Sequence, residues 1–292
     1  MALLENSTLF PAERSASDLP ADGFHPAVAT WFARRFPDGP TPAQEEGWAP
    51  IAAGQDTLIA APTGSGKTLA GFLVCIDRLY RAHAAGVDVV GTAQVAYVSP
   101  LKALAVDIAE NLDRPLREIA AVAEELGLSA PRLRVGVRTG DTTGGERASM
   151  LRRPPNFVIT TPESLYLLVT AARSREMLRG VETVIVDEIH AAARDKRGSH
   201  LTLTLERLEH VAARRPQRIG LSATQRPISL IADMLCGAGA PAPPAVVDTG
   251  HQRHLDLALE LPQGELEAVA SGEQMGDVLD RIAELVGQHH TT

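Results

Sequence analysis

The chain has 292 residues, 45% hydrophobic and 22% charged, a composition that excludes a disordered chain and suits one large or two ordinary globular domains. Its net charge of −8 excludes a wholesale basic nucleic-acid binder and leaves only a local basic groove open. No apolar run approaches the ~18 residues of a membrane span, and Met1–Phe10 has no basic stretch of the kind that opens a secretory leader, so the expectation is a cytoplasmic protein that does not meet a membrane.

Residues 1–20 read as a flexible arm. Phe24, Val28, Trp31, Phe32 and Phe36 recur at helical spacing. Pro37 to Pro40 breaks that helix, and Thr41-Pro42 opens another. Six candidate strands follow: Thr57–Ala61, Gln94–Ser99, Leu133–Thr139, Phe157–Thr161, Thr183–Asp187 and Arg218–Ser222. Several are nearly continuous apolar runs, as strands covered on both faces require. Helical segments lie between most of them. That alternation predicts an α/β fold with a doubly wound, mostly parallel sheet. Beyond a Gly/Ala/Pro loop come the strand-like runs Ala245–Asp248 and Leu255–Leu261, then a helical pattern through Val278, Ile282, Leu285 and Val286. The expected division is an arm over 1–20, a nucleotide-binding domain over 21–250, and a strand and helix over 251–292. Cys75 and Cys236 sit among apolar neighbours and read as reduced core residues.

The sharpest signal is Ala61-Pro62-Thr63-Gly64-Ser65-Gly66-Lys67-Thr68, between an apolar run and a helical stretch. Glycines at 64 and 66 let backbone N–H groups turn inward around phosphate oxygens. Lys67 would reach the β- and γ-phosphates of ATP, and the Thr68 hydroxyl would ligate Mg²⁺. A second signal ends the strand at Val184: Asp187 and Glu188 stand side by side. Asp187 suits Mg²⁺, and Glu188 suits a general base for the attacking water. Lys67, Asp187 and Glu188 are therefore the candidate catalytic residues.

In the same order along the chain, Thr41-Pro42-Ala43-Gln44, the phosphate loop, Ser99-Pro100-Leu101-Lys102-Ala103-Leu104, Thr139-Gly140-Asp141, Thr160-Thr161-Pro162-Glu163, Asp187-Glu188-Ile189-His190 and Ser222-Ala223-Thr224 resemble seven motifs of superfamily 2 helicases of the DEAD/DEAH kind. The wording of these motifs is most similar to the large helicase-related (Lhr) family. The resemblance implies a RecA-like P-loop NTPase domain that drives unwinding of DNA or RNA:DNA duplexes, with a link to DNA repair. It implies that Gln44 reads adenine and that Phe24 stacks on it. His190 would join the ATP site to the coupling residues Ser222 and Thr224. Pro100, Lys102, Thr139, Gly140, Thr160, Thr161 and Pro162 would contact single-stranded DNA or an RNA:DNA hybrid along one edge. Lysine is scarce in this chain, at Lys67, Lys102 and Lys196 only, which singles out Lys102 for a phosphate contact. Read without the resemblance, Gln44 is an ordinary helix-start glutamine, Phe24 a core aromatic, His190 a structural histidine and each threonine a turn residue.

The family's motifs IV to VI, carried by a second RecA-like domain, have no match in these residues. The chain reads as the amino-terminal motor half, and its hydrolysis alone is expected to be weak. Two alternatives stay open: an RNA helicase of the same superfamily, and a nucleotide-binding module without motor activity.

Overall fold

The computed structural model describes residues 23–193, 195–224, 226–237, 239–250, 259–261 and 271–288. The expected arm lies outside them, as does most of the expected strand Leu255–Leu261, whose described residues 259–261 are not in a strand. Contacts divide the chain into two units, Met1–His251 and Gln252–Thr292. Among the described residues no helix is long and apolar enough to cross a membrane.

The first unit opens with two helices, α1 (Pro26–Arg35) and α2 (Pro42–Ala52). Each carries proline in its first turn, where a missing N–H costs nothing. Thr41 and Gln44 form a capping box at the start of α2. Then come β1 (Thr57–Ala60), α3 (Lys67–Ala84), β2 (Val95–Val98), α4 (Lys102–Glu125), β3 (Val135–Arg138), α5 (Gly144–Arg152) and β4 (Phe157–Thr160). They are followed by α6 (Pro162–Thr170), α7 (Ala172–Leu178), β5 (Thr183–Val186), α8 (Ile189–Ala192), α9 (Lys196–Val211), β6 (Gln217–Ser222), α10 (Ile228–Cys236) and β7 (Ala245–Asp248).

All seven strands join one parallel sheet in the order β3-β4-β2-β5-β6-β1-β7. Alternation along the strands serves two cores. Ile59, Tyr97, Ile159, Ile185 and Ile219 face one layer, packed with Trp31, Phe32, Trp48, Leu73 and Ile119 of α1 to α4. Leu58, Val98, Val158, Val184 and Val186 face the other, packed with Leu165, Leu178, Leu201, Leu205 and Leu235 from α6, α7, α9 and α10. The predicted doubly wound sheet is observed, with helices on both faces. Most of the strands are shorter than the apolar runs that predicted them, ending before Ala61, Ser99, Thr139, Thr161 and Asp187, although the N–H groups of Ala61, Ser99 and Asp187 still bond the neighbouring strand; β6 is one residue longer, starting at Gln217. Helix α3 begins at Lys67, inside the phosphate-loop motif. Both cysteines are free and buried.

In the second unit, α11 (Gly272–Gln288) has no buried residue. Arg281 pairs with Glu260 (Nε to Oε2, 2.6 Å) and with Glu284 (2.6 Å).

Candidate functional site

Strand β1 is fully buried and delivers the chain to the loop Ala61–Gly66. Gly64 and Gly66 adopt φ of 82° and 79°, a region open to glycine at no steric cost. At Gly66 there is a second reason: a Cβ would come within 2.5 Å of Gln44 Nε2. Gly66 also starts α3 without any side-chain cap, so the first-turn N–H groups are left for an anion. Ser65 Oγ is buried with no hydrogen-bond partner among the described residues. Lys67 is buried, and its Nζ lies 3.5 Å from Ala61 O and 3.7 Å from Glu188 Oε1. Thr63 is exposed, and Thr68 half-buried on the first turn of α3.

Across the edge, β5 ends at Val186 and presents Asp187 and Glu188. Asp187 is 8% exposed. Its Oδ1 accepts the Glu188 N–H at 2.9 Å, and its Oδ2 accepts the Tyr97 hydroxyl at 2.5 Å. Burial holds the Asp187 carboxyl above the usual carboxylate range, and the Glu188 charge adds to this. The Tyr97 hydrogen bond and the Lys67 charge oppose it. Burial also pushes the Tyr97 phenol far up, so it remains a donor. Glu188 is the one non-glycine residue at positive φ among the described residues (φ 46°). Such backbone strain persists where surrounding structure over-determines it, and it clusters at functional sites. His190 Nδ1 lies 3.4 Å from Glu188 Oε2 and 3.2 Å from Ser222 Oγ, and it accepts the Ala223 N–H at 3.2 Å. The acid pair is thereby joined to the end of β6, where half-buried Thr224 follows.

Gln44 is 2% exposed and touches the phosphate loop. Its Oε1 accepts the Thr41 N–H at 3.0 Å, and its Nε2 donates to Gly66 O at 3.4 Å. Thr41 Oγ1 donates to Ser65 O at 2.6 Å. The start of α2 is thus a brace for the loop. Phe24 departs from expectation. It is 4% exposed and packs edge-on against Trp48 at 5.0 Å, in the core beneath α1 and α2, leaving no open ring face for a base.

The residues expected along the nucleic-acid edge do converge at the carboxyl ends of β2, β3 and β4. Their exposure sorts them. Pro100 is half-buried, and Lys102 and Gly140 are exposed. Lys102 Nζ pairs with Asp141 Oδ1 at 2.8 Å. Thr139, Thr161 and Pro162 are buried, and Thr161 caps α6 by accepting the Ser164 N–H. Thr160 has no exposed surface, and its hydroxyl donates to Arg138 O at 2.7 Å, tying β4 to β3. Its side chain is a structural link, unavailable for direct contact with a strand.

Two residues of the site carried no motif signal. Tyr97 was hidden in an apolar run; a single hydroxyl in a fully buried strand was its only mark. Arg197, at the start of α9, donates to Glu163 Oε1 at 2.9 Å and to Pro100 O at 3.0 Å. It clamps together two segments of the candidate nucleic-acid edge, and only the tertiary arrangement reveals it.

The chain is 48% identical over 273 residues to the Lhr helicase/probable uracil glycosylase of Mycolicibacterium smegmatis, covering 94% of this chain and 18% of that protein. It is 43% identical over 271 residues to the ATP-dependent helicase Lhr-Core of Methanothermobacter thermautotrophicus, covering 92% of this chain and 31% of the relative. The chain therefore spans under a third of these relatives. Among solved structures, Mycobacterium smegmatis helicase Lhr bound to ssDNA and AMP-PNP superposes with a TM-score of 0.77 at 47% identity, over 91% of this chain and 33% of that one. The DEAD/DEAH box helicase family matches residues 41–230, a span that holds the phosphate loop, the acid pair and the whole candidate edge; the chain belongs to that family.

Proposed function

We propose that this chain is an ATP-binding motor domain of an Lhr-type, ATP-dependent nucleic-acid helicase. One observation carries the reading: the sheet brings Lys67 within 3.7 Å of Glu188, so the phosphate loop and the acid pair face one another. Backbone amides around Gly64, Ser65 and Gly66 would cradle the β-phosphate, with Lys67 between β- and γ-phosphates. Gln44 is well placed to pass adenine recognition to the loop it braces. The donor set also fits Mg²⁺, since the Thr68 hydroxyl and the Asp187 carboxylate are hard oxygen ligands. Among the described residues no cluster of His, Cys, Asp or Glu could hold a metal unaided, so nucleotide phosphates would complete the shell. When bound, Mg²⁺ would neutralise phosphate charge. Glu188 would take a proton from the attacking water. His190, Ser222 and Thr224 would relay the change in nucleotide state.

Single-stranded DNA or an RNA:DNA hybrid would cross the half of the edge that holds Pro100, Lys102, Thr139, Gly140, Thr161 and Pro162, chiefly through backbone amides and Lys102. DNA is favoured over RNA because the solved relative at 47% identity was bound to ssDNA. A cytoplasmic role in DNA repair is part of the same proposal, with a second RecA-like domain supplying the remaining γ-phosphate contacts. Lys67→Ala tests the core of the proposal by calorimetric titration with ATP. Loss of a charge-assisted contact should weaken binding by roughly 1.5–3 kcal/mol. Equal affinity in wild type and variant would overturn the reading.

A further inference from the structure

Tyr97 lies in none of the motifs that marked the site. It occupies the third position of β2 and is fully buried. Its ring stacks on Phe72 of α3, centroids 4.9 Å apart and planes 17° apart. On the neighbouring strand it pairs with Ile185, two residues before Asp187. The phenol therefore ends beside the acid pair and donates to Asp187 Oδ2 at 2.5 Å. A buried tyrosine hydroxyl needs a partner, and a backbone carbonyl would serve that need. Here the partner is instead a proposed Mg²⁺ ligand, Asp187. Asp187 Oδ1 is held by the Glu188 N–H at 2.9 Å, so the carboxylate is fixed at both ends.

The geometry points to Tyr97 as a positioning residue for the cation site: its hydroxyl locks the Asp187 carboxylate. Hydrogen bonds behind a metal's ligands orient them and typically change metal affinity by roughly 10–100-fold. The inference rests on the ATP·Mg²⁺ reading above.

Tyr97→Phe is the decisive variant, because the ring and its stack on Phe72 are kept and only the hydroxyl is lost. Thermal unfolding verifies that it folds. Affinity for a fluorescent ATP analogue is measured in excess EDTA and along a Mg²⁺ series. Affinity in EDTA should match wild type, while the Mg²⁺ concentration that gives half-maximal tightening should rise roughly ten-fold. In an Asp187→Ala background, Tyr97→Phe should produce no further shift. An unchanged Mg²⁺ midpoint overturns the proposal. So does an equal loss in EDTA, which marks a purely structural ring, or an additive shift in the Asp187→Ala background. Lys67→Ala run alongside separates the two claims. If Lys67→Ala binds the analogue as wild type does, the ATP reading fails. If it loses binding while the Tyr97→Phe midpoint stays put, only the role of Tyr97 fails.

Discussion

Glu182 shows how one residue can tie stability to pH without touching the site. It sits just before β5, and its Oε2 is buried with no hydrogen-bond partner among the described residues. Burial pushes its carboxyl up to about 7, against the opposing charges of Arg78 and Arg214. A carboxyl raised in the folded state binds its proton more tightly there than in the unfolded chain. Its stabilising contribution is therefore complete below about 4.5 and is lost as pH rises through about 7. Asp187 shifts in the same direction, also through burial. Glu182→Gln keeps the shape and removes the titration. Urea unfolding should show the variant more stable than wild type at pH 8 and nearly equal to it at pH 4. Equal gains at both values would assign the effect to packing instead of charge. Neither Glu182 nor Tyr97 stood out in the sequence, because burial and partner are properties of neighbours far along the chain. Phe24 illustrates the converse. Its helical spacing was legible, but only the edge-on contact with Trp48 decided between core and ligand.

At the scale of elements, the start of α2 and the phosphate loop form one mechanical unit. Thr41 accepts the Gln44 N–H as a helix cap and donates to Ser65 O at 2.6 Å. The local signal, Thr-Pro ahead of an apolar pattern, predicted a helix start, and the motif resemblance added an adenine contact at Gln44; neither predicted a brace for the loop. The cap's second task appears once β1 and α3 bring the loop alongside. Thr41→Ala should cost about 1 kcal/mol of stability as a lost cap and should also weaken ATP binding several-fold, with Thr41→Ser restoring both. Thermal unfolding and calorimetric titration read the two effects. Lost stability with unchanged affinity would uncouple cap from loop. Strand boundaries teach a related lesson. The run predicted for β2 extended one residue beyond each of its ends because backbone pairing continues there: Gln94 N–H donates to Asn156 O and Ser99 N–H to Thr160 O.

For the whole molecule, strand order divides labour along a single edge. β1, β6 and β5 are adjacent and carry the phosphate loop, Ser222 and the acid pair. β2, β4 and β3 are adjacent on the other side and carry the candidate nucleic-acid contacts. Net charge of −8 opposes a polyanion, and Lys102 already has Asp141 as a partner. Binding of a labelled single strand should therefore be weak, indifferent to sequence and steeply weakened by salt. Anisotropy titrations at several salt concentrations should give Lys102→Ala a log–log slope shallower by roughly 0.7. An unchanged slope would remove Lys102 from the phosphate path.

The sequence by itself determined the parallel α/β layout, the phosphate loop and the acid pair. Each is a local pattern: an apolar run, a glycine spacing, two carboxylates at a strand end. Motif order even placed the candidate nucleic-acid residues along one edge, since all parallel strands end on the same side. The tertiary structure alone decided which strands are neighbours, and hence that Lys67 meets Glu188 across β6. It also decided which hydroxyls are free. Thr160 is spent on Arg138, and Tyr97 is committed to Asp187. The reason is physical: spacing along a chain encodes direction and periodicity, whereas burial and hydrogen-bond partnership arise between residues brought together only when both faces of the sheet are packed.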